Sequence, residues 1–195
     1  EGHIIARYCK RELPNYSVFD EKRYFCPGTK PCVVEVDSVR LGITICEDIW
    51  HDGPVEESAA AGANLIVNLN ASPFHMDKAS QRESQVVSQR ARRNRLPIAY
   101  VNLVGGQDEL VFDGGSFVSD NKGKVTHRAR FFEEQLSRVE FDDQLCPVRG
   151  DISKIPNLEE SVYQALVTGV RDYVQKNRFP GVVVGLSGGI DSALT

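Results

Sequence analysis

Between Val39 and Leu103 the chain alternates strand-like and helix-like runs, and that alternation limits what it can fold into more than any other feature. Val39 to Ile45 is an apolar strand-like run. From Pro54 an alanine-rich stretch to Ala61 reads as a helix, with Glu56-Glu57 favouring its first turn and Gly62 ending it. Leu65 to Leu69 reads as a strand. After the Ser72-Pro73 break, Lys78 to Arg95 reads as a long helix stopped by Pro97, and Ile98 to Leu103 as another short strand. Strand, helix, strand, helix, strand is the order of an α/β layered fold.

Around this unit the signals are more mixed. Ile4 to Tyr8 reads as a β run, and Lys10 to Cys32 is irregular, broken by Pro14, Asn15, Pro27, Gly28 and Pro31. Irregular stretches this long are uncommon unless they carry function. Val33 to Val36 pairs with Val39 to Ile45 through a turn at Asp37-Ser38. Further strands are expected at Val111 to Phe112, Ser116 to Ser119 and Leu136 to Phe141, with a tight turn around Asp120-Asn121-Lys122-Gly123 of the antiparallel kind. The sheet is therefore expected to be mixed.

Gln144 to Asn157 loses the strand pattern and contains Pro147, Gly150 and Pro156. It divides the chain into a domain over residues 1–143, a linker over 144–157 and the start of a second unit over 158–195. In that unit Leu158, Val162, Leu166, Val170 and Val174 recur every four residues and predict the apolar face of a helix reaching about Asn177. Pro180-Gly181 then breaks the chain, and Val182-Val183-Val184 reads as a buried strand.

A chain of 195 residues has room for one buried domain and the beginning of another. Apolar content of 41% and charged content of 26% are ordinary for a soluble globular protein. The net charge of −4 leaves no basic footprint for nucleic acid, and Arg90, Arg92, Arg93 and Arg95 read as a solvated helix end. The five cysteines form no C-x-x-C pair, which fits a reducing compartment. No run approaches the ~18 apolar residues of a membrane span, and the expected location is the cytoplasm. The chain opens without Met inside a strand-like run and stops at Thr195 about one turn into a helix, so the expectation is a fragment, inactive by itself.

Two places carry chemistry. The first is Gly185-Leu186-Ser187-Gly188-Gly189-Ile190-Asp191-Ser192, a strand running through small residues into a helix start. Such a turn points backbone N–H groups at one concave spot, and the helix start adds partial positive charge, which suits phosphate. It is not the G-x-x-x-x-G-K loop, because no Lys follows the glycines. Its other reading is a flexible turn with Asp191 or Ser192 as a plain helix cap. The loop resembles the S-G-G-x-D-S motif of the ATP pyrophosphatase family. That resemblance implies ATP binding by Ser187, Gly188, Gly189, Ile190, Asp191 and Ser192, with Asp191 a Mg²⁺ ligand.

The second is Cys46, at the end of an apolar strand and followed by Glu47-Asp48 and Trp50. A thiol there can project into a crevice while the next N–H faces the same spot. It needs a basic or cationic neighbour to act as a nucleophile. Taken alone, Cys46 reads as a small buried hydrophobe. Three segments change that reading: Tyr8-Cys9-Lys10-Arg11-Glu12-Leu13-Pro14-Asn15-Tyr16 with Phe19-Asp20-Glu21; Gly42-Ile43-Thr44-Ile45-Cys46-Glu47-Asp48; and Asn70-Ala71-Ser72-Pro73-Phe74. Together they resemble the nitrilase, or carbon–nitrogen hydrolase, superfamily over about the first 140 residues.

That resemblance implies a four-layer α-β-β-α sandwich and a Glu, Lys, Cys triad. Lys10 matches the lysine and Cys46 the nucleophile, while the general-base glutamate is expected upstream of Glu1. Tyr16, Glu47, Ser72 and Lys78 would line a glutamine pocket, with a solvated first-turn lysine as the other reading of Lys78. Glu21 is either the family's additional glutamate near the triad or a loop surface charge. The Asp113-Gly114-Gly115-Ser116 turn also looks like the family pattern. His3, His51, His75 and His127 lack metal-ligand spacing and receive no catalytic role.

A nitrilase-type domain ahead of the start of a parallel α/β ATP pyrophosphatase domain resembles the NAD⁺ synthetases that draw ammonia from glutamine. The implied partners are glutamine, nicotinic acid adenine dinucleotide and ATP, with Mg²⁺ at the synthetase half, no cofactor at the glutaminase half, and a homo-oligomeric assembly. The competing readings are a stand-alone nitrilase-family amidase and a non-catalytic nitrilase-like scaffold.

Overall fold

The computed structural model describes residues 2–195. Its main body is a mixed six-stranded sheet, built from hairpins at both edges and parallel crossovers in the middle. Strands β1 (Cys32–Val36) and β2 (Val39–Ile45) form an antiparallel hairpin. Asp37 and Ser38 both have left-handed backbone, φ 46° and 70°, the two-residue turn whose twist matches that of its strands. After a 3-10 turn, Cys46–Trp50, helix α2 (Asp52–Ala60) crosses to β3 (Leu65–Asn70), which runs parallel to β2. The expected stop at Gly62 is present, with φ 93°.

A continuous helical run, α3, leads to β4 (Ile98–Asn102), parallel to β3. It is helical over Lys78–Ser80, widens to a π segment over Gln81–Val87 and tightens again over Ser88–Asn94. The chain then forms a separate two-stranded sheet, β5 (Val104–Gln107) with β6 (Leu110–Asp113), before β7 (Phe117–Ser119) and β8 (Val125–Arg128) complete the main sheet. The main sheet has the order β1-β2-β3-β4-β7-β8.

Register decides which side chains meet the helices. Gly42, Ile66 and Ile98 lie level across β2, β3 and β4, as do Thr44, Asn68 and Tyr100. This face packs on α2 and α3, and Ile49, Val55, Ile66, Val87, Ala91 and Ile98 have no exposed surface. The alternate row, Ile45, Leu69 and Val101, points to the other face, where Leu69 and Val101 are exposed. One helical layer and one sheet layer of an α-β-β-α sandwich are thus present, with the apolar sheet face that such a sandwich turns inward.

Several expected elements differ. Ile4 to Tyr8 is not a strand, and Ile4 and Ile5 are exposed. Leu136 to Phe141 has only the isolated bridge of Phe141 to Pro147, and Val182 to Val184 is exposed coil. An apolar run becomes a strand only when another edge supplies its hydrogen bonds, and among the described residues none does so here. The irregular segment Lys10 to Cys32 holds one short helix, α1 (Glu21–Tyr24).

Helix α4 (Leu158–Lys176) forms where expected, capped by the Asn157 side chain, which accepts from the Glu160 N–H. Its contact face is not the expected stripe: Leu158, Leu166 and Val170 are exposed, while Ala165 and Thr168 are buried against the β5–β6 hairpin. Close approach explains the choice. A Cβ on Gly106 would stand 3.1 Å from the Gly169 Cα. The Gly106 N–H donates to Asp172 Oδ2 at 2.8 Å, and Lys176 Nζ donates to the Gly106 carbonyl.

One buried charge pair ties α3 to the hairpin. Arg82, in the π segment, donates from Nη1 to both oxygens of Asp113, at 2.8 and 2.9 Å, with each side chain 3% exposed. Its Nη2 donates to the carbonyls of Ser72 and Pro73. Removing one partner strands a buried charge. Asp113→Ala is therefore expected to destabilise the protein by about 3 to 5 kcal/mol, read from urea unfolding.

Candidate active site

Cys46 stands where β2 ends. It turns the chain into the 3-10 helix with φ 45°, a backbone region that side-chain-bearing residues seldom occupy. This sharp strand-to-helix turn lifts the thiol above the sheet edge, in the manner of a nucleophile elbow. The parallel register carries Ile45, Leu69 and Val101 to the same level. Cys46, the Ala71-Ser72 segment and Leu103 therefore leave the sheet along one edge.

Lys10 reaches the site from the irregular segment in front of that edge. Its Nζ donates to both Glu21 oxygens, each at 2.7 Å, in a largely shielded pair. Glu21 is thus not a free surface charge. Burial pushes the Cys46 thiol above its ordinary pKa; the Lys10 charge opposes this, Glu47 adds to it, and the Ala71 N–H and Lys78 oppose it further. Among the described residues the thiol is therefore shielded, with two cations favouring its ionised form.

Tyr16 donates to both oxygens of Glu47, at 3.0 and 2.9 Å. Burial first, and then this bond, push the phenol up to about 12. Beside them opens a cleft of about 720 Å³ whose lining includes Arg11, Glu12, Tyr16, Lys22, Glu47 and His51. His51 Nε2 lies 3.4 Å from Glu47 Oε1. Acidic and cationic groups facing one cavity suit a ligand with both charges. Cys46 is not part of that lining and joins the cleft through its neighbour Glu47.

Lys78 opens α3 half-buried, its Nζ 5.7 Å from the centre of the Trp50 ring. It is not the solvated helix start that its sequence position also allowed. Burial, and next the Arg82 charge, hold its pKa below the ordinary lysine value. Ser72 lies deeper. Its Oγ accepts from Arg82 Nη2 at 3.2 Å, and its N–H donates to Asn102 Oδ1 at 3.0 Å. Lys10, Glu47, Lys78 and the strand-end backbone gather around Cys46, with Tyr16 held on Glu47, while the Ser72 hydroxyl is engaged by the buried Arg82.

The glycine-rich loop is separately formed. Gly188 has φ 85°, and the Ser187 N–H and Oγ lie 3.1 and 3.0 Å from Ser192 Oγ. Ser192 Oγ donates to the Gly189 carbonyl, and the Gly189 N–H donates to Ser187 Oγ. Helix α5 (Ile190–Leu194) follows, with Asp191 exposed in its first turn. Among the described residues no hydrogen bond joins this loop to the Cys46 site.

An elbow cysteine with a lysine–glutamate pair in front of it, on this sheet, defines a class. Residues 1–149 match the carbon–nitrogen hydrolase family, and the chain belongs to it. Residues 162–195 match the NAD synthase family. The chain is 42% identical to the glutamine-dependent NAD(+) synthetase of Thermotoga maritima and 45% identical to that of Aquifex aeolicus. Those alignments cover 100% and 98% of this chain and 40% of each relative. The chain therefore spans about two fifths of these relatives' length.

Among solved structures, glutamine-dependent NAD+ synthetase from Acinetobacter baumannii in complex with ADP superposes with a TM-score of 0.92 at 42% identity. That superposition covers 98% of this chain and 36% of the other. An amidase from Nesterenkonia sp. AN1 superposes with a TM-score of 0.58 at 29% identity, covering 65% of this chain and 48% of the amidase. A variant of that amidase shows covalent addition of the acetamide moiety of fluoroacetamide at its active site cysteine.

Asp48, Trp50 and Arg82 also belong to the surroundings of Cys46, with no role that sequence pattern alone specifies. An acid just past a strand end is a recognisable helix-start acceptor, which could have marked Asp48. Arg82 carried no signal, since a lone arginine in a helix looks solvated until its partners are known. The charge around Cys46 makes one outcome checkable. In Lys10→Met the thiolate loses the positive charge that most favours it, so alkylation of Cys46 by iodoacetamide, followed against pH by mass spectrometry, is expected to shift to higher pH.

Proposed function

We propose that this chain is the glutaminase part, with the opening phosphate loop of the synthetase part, of an enzyme that makes NAD⁺ from nicotinic acid adenine dinucleotide, ATP and glutamine. The observation that carries this reading is the pairing, in one chain, of the Cys46 elbow facing Lys10 with the Ser187 to Ser192 loop. The domain division is taken as 1–143, 144–157 and 158–195. A stand-alone amidase draws support from the Nesterenkonia likeness, but leaves the NAD synthase match at 162–195 without a purpose.

In the glutaminase half, Cys46 Sγ attacks the side-chain carboxamide carbon of glutamine and forms a tetrahedral centre. The family's general-base glutamate, expected upstream of Glu1, takes the thiol proton and returns it to the leaving nitrogen. The Lys10 ammonium and the Glu47 N–H stabilise the oxyanion, and Glu21 holds Lys10 in place. Ammonia departs, leaving a thioester on Cys46, which water converts to glutamate. Tyr16, Glu47, Ser72 and Lys78 are assigned to the glutamine pocket.

In the synthetase half, Ser187, Gly188, Gly189, Ile190, Asp191 and Ser192 receive the ATP phosphates through backbone N–H groups and hydroxyls. No group of three or more His, Cys, Asp or Glu side chains among the described residues could hold a metal alone. Asp191 would hold Mg²⁺ jointly with phosphate oxygens, as that ion usually binds, and the ion would neutralise phosphate charge. We place the enzyme in the cytoplasm as a homo-oligomer; among the described residues no helix is long and apolar enough to cross a membrane.

The two halves separate experimentally in the full-length enzyme carrying this chain. Cys46→Ala is expected to remove glutamine-driven NAD⁺ formation and leave ammonia-driven formation largely intact. Equal loss of both in a folded protein would refute this division of labour. Asp191→Ala is expected to abolish both, and near-normal synthesis would remove its metal role.

A further inference from the structure

Asp48 has no exposed surface, yet four donors converge on its carboxylate. Oδ2 accepts from the Tyr8 hydroxyl at 2.8 Å and from the Ile45 N–H at 2.9 Å. Oδ1 accepts from the N–H groups of Arg11 and Glu12, at 3.0 and 2.8 Å. The donors fall into two sets. Ile45 belongs to the strand end that carries Cys46, whereas Tyr8, Arg11 and Glu12 bracket Lys10 on both sides.

Lys10 needs such a tie because its segment has no strand ladder to hold it. Its own carbonyl accepts from Gly28 within the same irregular stretch, which fixes nothing relative to the sheet. The Arg11–Glu57 ion pair does reach α2, but Glu57 is half exposed and the pair is open to water and salt. Asp48 is buried, and bonds from N–H and O–H donors to an ionised carboxylate are strong and directional.

We propose that Asp48 is a positioning residue that sets Lys10 against Cys46 by pinning the Tyr8 to Glu12 segment to the turn bearing the nucleophile. This rests on the reading of Cys46 and Lys10 as the reacting pair. It differs from a simple helix cap, for which the Ile45 bond alone would matter. Tyr8→Phe separates the two, because it removes a bond on the Lys10 side and leaves the cap in place. Asp48→Asn keeps one acceptor oxygen and turns an amide N–H₂ toward the other two donors, so part of the tie is lost without a change of size.

The test uses the full-length enzyme carrying this chain, with Asp48→Asn, Asp48→Ala and Tyr8→Phe. Glutaminase kcat and KM are measured beside the pH profile of Cys46 alkylation by iodoacetamide. The charged groups acting on that thiol are Lys10, Lys78 and Glu47. Asp48→Asn is expected to lower kcat by on the order of tenfold or more with little change in KM, since small misplacements at a reacting centre cost that much. Its alkylation profile should move to higher pH as Lys10 draws away, and Tyr8→Phe should move both readouts in the same direction by less. Asp48→Ala should equal or exceed Asp48→Asn, and if it does not fold, the other two variants decide. Wild-type kcat with an unmoved alkylation profile in Asp48→Asn and Tyr8→Phe overturns the proposal, as does a rise in KM alone. Alkylation reports the Lys10 to Cys46 geometry whatever the substrate, so the pin and the glutamine reading fail separately.

Discussion

Three parallel strands ending along one edge are the constraint on which the rest of the site depends. The ladders of β2, β3 and β4 fix their mutual height to within one residue, because each backbone N–H and C=O must find a partner. That register is in turn fixed by side chains. A slip of one residue would turn Ile66 and Ile98 away from α2 and α3 and bring Leu69 and Val101 against them. Cys46 and the Ala71 backbone are therefore neighbours for the same reason that the hydrophobic core closes.

Charge is arranged around this edge in two depths. Nearest the thiol, Lys10 and Lys78 supply positive charge, with Glu21 and Glu47 keeping each region close to neutral. Behind it, the Arg82–Asp113 pair and Asn102 satisfy the backbone of Ser72 and Pro73, so the turn after β3 is supported from inside the protein. The π segment of α3 accompanies that support. It lies where the helix passes Asp113, and such widened turns recur at functional sites.

The central α/β body was legible from periodicity because each of its runs has a partner in the same stretch of chain. Val39 to Ile45, Leu65 to Leu69 and Ile98 to Leu103 stabilise one another, and local pattern and tertiary pairing agree. Ile4 to Tyr8, Leu136 to Phe141 and Val182 to Val184 have the same apolar character without an edge to join. β5 was hidden because Gly105 and Gly106 are poor strand residues, chosen for close approach to α4. At the site, Cys46 was marked by its place at a strand end, but Lys10 only by resemblance, since no spacing rule links an irregular segment to a strand. Asp48 and Arg82 work through buried polar contacts, which one-dimensional pattern does not reveal.

The docking of α4 on the β5–β6 hairpin has a mechanical consequence. The helix that opens the NAD synthase match is clasped to Gly106 from both sides, through its N–H by Asp172 and its carbonyl by Lys176. Gly106 lies in the small hairpin rather than the six-stranded sheet, and the hairpin follows β4 after the single residue Leu103. A rotation of α4 must either break both clasps or take the hairpin with it. Asp113, at the hairpin's far end, holds Arg82 and through it the turn after β3. The hairpin thus joins two contacts, one with α4 and the other, through Arg82, with the backbone that borders Cys46.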